Sequence, residues 1–396
     1  MSTLTKIVHV NLVQDRKVTP CEILVEGERI ARITPPGGLD EVTNARVIDG
    51  EGRYVSHGFI DIHTHGGGGH DFMDGTREAY EGAASMHAMH GTTCMLPTSL
   101  AASMEELKET LSIYEEVKDQ KVGARFLGLH LEGPYLSLNQ SGAQDPKYIR
   151  DPNPEEYKLL VEMCPDILRW TIAPERPGAM EMGEYLRSHG ITPSIGHTDA
   201  TIDVVQEAVK HGYNHITHLY SACSTITRRG GYRYPGVIES AYLIDELTVE
   251  VITDGSHLPA SLLQMVYRFI GPDRTTMVTD SLRGAGMPEG DSILGSLKNG
   301  QRVIIEDGVA KMPDRKAFAG SVATTDRLVR NMIQLAKVPL PVAVDMQTRT
   351  ASRIIGKSDV TGVLKEGRLA DLILFDQDIH VSLTMVGGRI LFEKGN

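Results

Sequence analysis

The chain has 396 residues, 41% hydrophobic and 23% charged. This is the balance of a soluble globular protein long enough for one large domain and a small accessory one. Its net charge of −12 at pH 7 argues against broad binding to nucleic acid or to an anionic membrane. Four scattered cysteines, Cys21, Cys94, Cys164 and Cys223, form no C-x-x-C pair and read as reduced thiols of a cytoplasmic protein. Residues 1–10 lack the apolar core of a leader, and no apolar run reaches the length of a membrane span.

Residues 1–57 read as short strands separated by turn signals such as Glu26-Gly27-Glu28-Arg29 and Pro35-Pro36-Gly37-Gly38. From residue 58 the pattern changes. Apolar β-prone runs at 59–62, 92–96, 126–131, 168–172, 191–195, 215–219, 248–252 and 276–278 alternate with helical stretches. Examples of the latter are 77–90, 104–117, 155–163, 201–211 and 259–269, and a last helical region covers 322–336 and 343–355. Eight such alternations favour an α/β fold of the (β/α)8 TIM-barrel type over an open doubly wound sheet, for which no G-x-G-x-x-G follows a first strand. Residues 361–396 return to β-structure. The expected organisation is a barrel domain at 58–360 and a small β-sandwich domain made by 1–57 together with 361–396.

The ends of the apolar runs carry the chemistry. In an extended strand residues i and i+2 share a face, so His63 and His65 leave the first run side by side, which suits a shared metal ion. Four glycines, Gly66 to Gly69, then let the backbone turn sharply. The third run ends in Glu132, the fifth in His197, the sixth reaches His218, the seventh ends in Asp254 with His257 beyond, and the eighth ends in Asp280. A single histidine or acid at a strand end is ordinarily a hydrogen-bonded residue or a helix cap. Six of eight ends so equipped point to convergence, and burying that many ionisable groups unpaired is costly. A divalent metal at one or two positions accounts for it, with zinc, iron, manganese or nickel suited to imidazole and carboxylate ligands. By placement, His87, His90, His211 and His215 read as structural, and His130 as a support to the ligands rather than one of them.

With these motifs in view, the chain resembles the amidohydrolase superfamily and, within it, the N-acetylglucosamine-6-phosphate deacetylases. The resemblance is carried by the segment from Gly58 to Gly67, by His90-Gly91-Thr92-Thr93, Leu129-His130-Leu131-Glu132-Gly133-Pro134 and Ser194-Ile195-Gly196-His197-Thr198-Asp199-Ala200. Thr217-His218-Leu219-Tyr220, Asp254-Gly255-Ser256-His257, Thr279-Asp280-Ser281 and Ala319-Gly320-Ser321 complete it. It implies Glu132, His197 and His218 as ligands of one metal, His63 and His65 as ligands of a second, Asp280 as general base and His257 as a substrate-orienting residue. Ala143, Ser221, Ala222, Phe318, Ala319 and Gly320 match substrate-contact positions, and Arg233 aligns with the phosphate-binding arginine. Gln144 stands where some members have histidine. Departures fall at Ser221, where the family has asparagine, and in the longer stretch Arg228-Arg229-Gly230-Gly231-Tyr232-Arg233-Tyr234-Pro235-Gly236.

The implied activity is metal-dependent removal of the acetyl group from N-acetylglucosamine 6-phosphate in amino-sugar catabolism, with zinc as the first choice of metal and a homodimer as the assembly. Alternatives are a deacetylase of N-acetylgalactosamine 6-phosphate or of an unphosphorylated N-acetylhexosamine, a cyclic amidohydrolase, and a non-catalytic scaffold. A cyclic amidohydrolase typically bridges two metals with a carboxylated lysine, and no lysine ends a predicted strand. A scaffold has no need of Glu132, His197, His218 and Asp280 together.

Overall fold

The computed structural model describes residues 4–395; residues 1–3, part of the stretch read for a leader, and residue 396 lie outside it. Both ends of the chain meet in one eight-stranded sheet. Leu4–Gln14, Lys17–Glu26 and Arg29–Thr34 form an antiparallel meander, and Arg46–Asp49 and Tyr54–His57 lie parallel to the first of these. Leu372–Phe375 pairs antiparallel with Tyr54–His57 and carries Val381–Val386 and Arg389–Glu393 beyond it. Alternation along these strands sends Ile7, Val10, Ile23, Val25, Val55, Leu372, Leu374 and Leu383 into one apolar cluster, so residues more than 300 positions apart share a core.

Between the two ends the chain forms parallel strands in sequence order. Phe59–Thr64 pairs with Thr92–Pro97, which pairs with Arg125–Phe126. A bridge from Thr98 to His130 leads into Leu129–Glu132, followed by Ile167–Ile172, Thr192–Ile195, His215–Ile216, Thr248–Val251 and Thr275–Met277. The sheet curls so that its first and last strands approach: the Asp280 amide donates to the His63 carbonyl at 2.9 Å. The third expected run is broken at Leu127-Gly128, where Gly128 takes φ 152°. The sixth is shorter than expected because the chain turns at His218, whose φ is 27°.

Helices cover the sheet for identifiable reasons. Met104–Val117 starts at a Ser103–Glu106 capping box and buries Leu107, Leu111 and Tyr114 at three- and four-residue spacing. Pro154–Met163, Ile202–Lys210, Ala260–Phe269 and Thr325–Gln334 likewise bury one face, with Leu160, Val205, Leu263 and Leu328 on it. These meet Met95, Leu131, Trp170, Ile195, Val249 and Met277 from the strands in the largest apolar cluster. Each fully buried aliphatic side chain contributes about 1.5–3 kcal/mol.

Further antiparallel elements lie outside the expected runs. A three-stranded antiparallel insert, Gly290–Leu294, Gln301–Glu306 and Val309–Lys311, follows the last parallel strand. The arginine-rich stretch is a hairpin, Thr227–Arg229 with Tyr232–Tyr234, turned by Gly230 and Gly231 at positive φ.

Two buried histidines give the fold an acid limit. Burial pushes both His57 and His87 down from 6.5 to about 4. His57 bonds Thr361 Oγ1 where the two chain ends join, and His87 bonds the Gly66 carbonyl. The folded pKa lies below the unfolded one, so the unfolded chain takes the proton first as pH falls. The stability is complete above pH 6.5 and is lost progressively between pH 6.5 and 4, by roughly 3 kcal/mol for each group. Urea midpoints measured across that window should fall, and His87→Gln should flatten the slope. A midpoint independent of pH, or an unchanged slope in the variant, would contradict this origin.

Candidate metal and active site

Strand Phe59–Thr64 is buried along its whole length. Ile60 and Ile62 pack with Cys94, Leu96, Ile252 and Val278 on one face. Asp61 and His63 take the other; Asp61 accepts from Thr279 Oγ1 at 2.5 Å and His63 Nδ1 meets Glu250 Oε1 at 2.7 Å. His65, two residues beyond His63, brings its Nε2 to 3.3 Å from that of His63. Asp280, at the far edge of the curled sheet, places Oδ1 at 3.1 Å from His65 Nε2 and 3.4 Å from His63 Nε2.

Glu132, ending Leu129–Glu132, stands between this group and a second. Its Oε1 lies 3.3 Å from His197 Nε2 and 3.0 Å from His218 Nε2, and its Oε2 lies 3.3 Å from His65 Nε2. Two sets of donor atoms thus converge within 4.8 Å, His63 with His65 and Asp280, and Glu132 with His197 and His218. His197, His218 and Asp280 all adopt positive φ, at 48°, 27° and 46°. Such backbone costs energy for these residue types, and each lies where a strand gives way to the turn that aims its side chain inward.

A cavity of about 410 Å3 opens above the two groups. Of the residues singled out in the sequence, it is lined by His65, Glu132, Ala143, His197, His218, Ser221, Ala222, His257, Asp280, Phe318 and Gly320. His63 lies beneath it and Ala319 is buried behind it. His257 gives Nδ1 to Asp254 at 2.9 Å and packs its ring 4.8 Å from that of Phe318, leaving Nε2 for a ligand. Arg233 is elsewhere: it sits on the exposed hairpin and bonds the Gly231 carbonyl. Arg229, on the same hairpin, lines an adjoining depression that shares Asn139 and Gln140 with the cavity. The histidines read as structural stay out of both groups. His90 faces Asp326, His211 faces Glu184 and Glu207, and His215 bonds Thr248. His130 bonds Thr171 and packs edge-on against His63 at 4.5 Å, consistent with a supporting place.

Comparison with known proteins places this geometry. The amidohydrolase family model matches residues 54–391. An N-acetylglucosamine-6-phosphate deacetylase of Lysinibacillus sphaericus is 33% identical over 354 residues, 88% of each chain. The crystal structure of N-acetylglucosamine-6-phosphate deacetylase from Pasteurella multocida superposes with a TM-score of 0.90 at 28% identity, covering 98% of this chain and 99% of that one. An N-acetylgalactosamine-6-phosphate deacetylase of Escherichia coli is 28% identical over 87% of this chain and 89% of its own. The chain belongs to the amidohydrolase family, among the N-acetylglucosamine-6-phosphate deacetylases.

Members of this superfamily use divalent metals, and the donor chemistry of this amidohydrolase fits one. His197 Nδ1 faces the Gln140 carbonyl at 2.8 Å, His218 Nδ1 the Ser221 carbonyl at 3.0 Å and His65 Nδ1 the Thr98 carbonyl at 3.2 Å. A carbonyl only accepts, so each Nδ1 carries the hydrogen and each Nε2 a lone pair. The Nε2 atoms of His197 and His218 then face each other at 3.2 Å with no hydrogen between them. A cation among these lone pairs and the Glu132 carboxylate resolves the arrangement.

Without a cation, protons do part of that work. Burial alone would lower His65, yet its bonds to Asp280 and Glu132 raise it to about 9. Burial would raise Glu132 and Asp280, but the surrounding imidazoles hold both below the ordinary carboxylate range. Three residues of this amidohydrolase's site escaped the sequence reading or went unassigned there. Gln144 donates to Glu132 Oε2 at 2.7 Å and accepts from the Ala101 amide, so it clamps the shared carboxylate. Glu250 and Arg169 form a buried pair under His63.

Gly320 has a steric reason to be glycine. It takes φ +68°, and a Cβ there would lie 2.6 Å from the Asp280 carbonyl oxygen. Gly320→Ala should therefore displace Asp280 and reduce turnover by about 10- to 10²-fold, the scale of a misplacement near 1 Å. Circular dichroism should show the fold retained. Wild-type turnover in a folded variant would show that Asp280 does not depend on this contact.

Proposed function

We propose that the protein hydrolyses the acetamide of N-acetylglucosamine 6-phosphate, releasing acetate and glucosamine 6-phosphate. The observation that carries this reading is the pair of His–carboxylate groups sharing Glu132 on the floor of a cavity faced by His257 and Asp280. Glu132, His197 and His218 hold one divalent ion, and His63, His65 and Asp280 hold a second, with zinc as first choice and iron, manganese or nickel as alternatives. Ions so held supply Lewis acidity to the amide carbonyl and lower the pKa of water towards about 7. Asp280, a carboxylate facing the cavity, takes the proton of the attacking water. It then returns that proton to the departing nitrogen, so that the amine leaves as a neutral group. His257, its Nδ1–H held by Asp254, presents Nε2 to the substrate, accepting from a sugar hydroxyl when the ring is neutral and donating to the developing oxyanion when it is protonated. Ser221, Ala222, Ala143, Phe318 and Gly320 shape the sugar site, with Ala319 buried behind them.

The phosphate is read from the hairpin beside the cavity. Among the described residues lining the cavity there is no lysine or arginine, and Arg228, Arg229 and Arg233 lie close by on one exposed hairpin. Guanidinium groups take phosphate through paired, charge-assisted hydrogen bonds, so this hairpin, or its copy from a second subunit of a homodimer, supplies the charge. The parallel strands, whose ends already meet at His63 and Asp280, make a closed (β/α)8 barrel over about 58–360. The terminal sheet folds on itself as a small β-sandwich domain, and the enzyme works in the cytoplasm.

Acetate release tests this reading. Purified protein supplied with zinc should deacetylate N-acetylglucosamine 6-phosphate faster than N-acetylgalactosamine 6-phosphate and much faster than either free sugar. A preference for the galactosamine phosphate would move the substrate to that of the Escherichia coli relative. A preference for an unphosphorylated sugar would remove the phosphate assignment, and no acetate from any of them would remove the activity.

A further inference from the structure

Beneath the two histidine groups lies an ion pair with no access to solvent. Arg169, on Ile167–Ile172, and Glu250, on Thr248–Val251, are both 0% exposed, and Arg169 Nη1 donates to Glu250 Oε2. Arg169 also donates to Ser194 at 3.0 Å, Thr217 at 2.9 Å and the Ile62 carbonyl at 3.2 Å. A buried ion pair is weak support for stability, because the cost of removing both charges from water offsets their attraction. Its other contacts show what else it does. Glu250 Oε1 accepts from His63 Nδ1 at 2.7 Å and from the main-chain amide of His218 at 3.1 Å. One carboxylate therefore grips a side chain of one group and the backbone of the other, at the position where His218 turns with φ 27°.

His63 differs from its counterparts in this respect. His65, His197 and His218 each turn Nδ1 to a main-chain carbonyl. His63 alone turns it to a carboxylate, fixed in turn by a buried guanidinium. A carboxylate acceptor holds the Nδ1–H tautomer more firmly and makes Nε2 a stronger donor to a metal than a carbonyl does. We propose that Glu250, anchored by Arg169, is a positioning residue that fixes the tautomer of His63 and thereby sets the affinity of the His63–His65–Asp280 group for its ion. The inference rests on reading His63 as a metal ligand.

The test compares wild type with Arg169→Met combined with Glu250→Leu, which removes both charges together and the acceptor with them, and with Glu250→Gln, which keeps an acceptor oxygen. Metal-free proteins are titrated with zinc against a competing chelator. His63 is followed by long-range proton–nitrogen correlation with 15N-labelled histidine, and folding by thermal melts without metal. Wild type should take up two ions and show His63 as a single Nδ1–H tautomer. The double variant should fold, bind the second ion about 10- to 100-fold more weakly, lose less at the first, where His218 gives up only a main-chain bond, and lose the single tautomer. Glu250→Gln should fall between them, and it carries the test with the same readouts should the double variant not fold. Wild-type affinity for both ions in the variants overturns the inference and leaves the two-ion reading in place. Equal weakening at both ions with a lowered melt also overturns it, as a general packing defect. A wild-type protein that takes up one ion overturns both.

Discussion

Asp280→Asn should lower turnover at least about 10²-fold while the ion held by Glu132, His197 and His218 remains bound, the low end for loss of a general acid–base group. The reason is local. Asp280 lines the cavity with Oδ1 within 3.4 Å of two imidazole nitrogens, and those imidazoles outweigh burial to keep it ionised. Asparagine has the same shape but cannot accept the proton of the attacking water. Glu132, His197 and His218 are untouched by the change, so the group they form keeps its donor set. Steady-state turnover with N-acetylglucosamine 6-phosphate, paired with elemental analysis, reads both halves of the expectation. Near-normal turnover with metal retained would remove Asp280 from the proton transfers.

What made the site readable in the sequence was its dependence on local geometry. Two-residue spacing puts His63 and His65 on one strand face, and the structure has their Nε2 atoms 3.3 Å apart. Glu132, His197, His218 and Asp280 each follow an apolar run, and the parallel sheet brings the ends of those runs to one side. Arg169 and Glu250 were not readable in this way. Each sits inside an apolar run rather than at its end, and they are 81 positions apart. Only the curl of the sheet makes them neighbours. A charged residue within a run otherwise buried on both sides was the available signal, since such a group must find a partner.

The unassigned insert had a clearer signal. Asp307-Gly308 joins Gln301–Glu306 to Val309–Lys311, and both turn residues take positive φ, at 55° and 68°. Asp-Gly between β-prone runs is a strong hairpin signal. The same rule covers Gly230-Gly231 in the arginine-rich stretch. Arg233, aligned with a phosphate-binding arginine, pairs with Arg228 across the ribbon and shares its face, while Arg229 and Tyr232 take the other. Its guanidinium bonds its own hairpin, while Arg229 lies beside the cavity.

Glu132→Gln should have a different outcome from Asp280→Asn, because metal should leave along with activity. Glu132 sets its carboxylate against Nε2 atoms of both groups: Oε1 faces His197 and His218, and Oε2 faces His65. It also takes the Gln144 amide on Oε2 at 2.7 Å. Glutamine in its place removes the negative charge that a cation among these nitrogens requires. It also sets one amide NH2 against another, or else turns its NH2 towards His197 and His218. Either rotamer leaves a donor where a metal needs a lone pair. Metal content should fall from near two to below one ion per chain, and turnover by more than about 10²-fold, since both the Lewis acid and the acidified water are lost. Added zinc should restore little of it, which separates this variant from one that is merely slow to load. Thermal melts without metal should stay close to wild type. Full metal content in Glu132→Gln would mean that Glu132 is not a ligand, and that the histidines and Asp280 hold the ions without it.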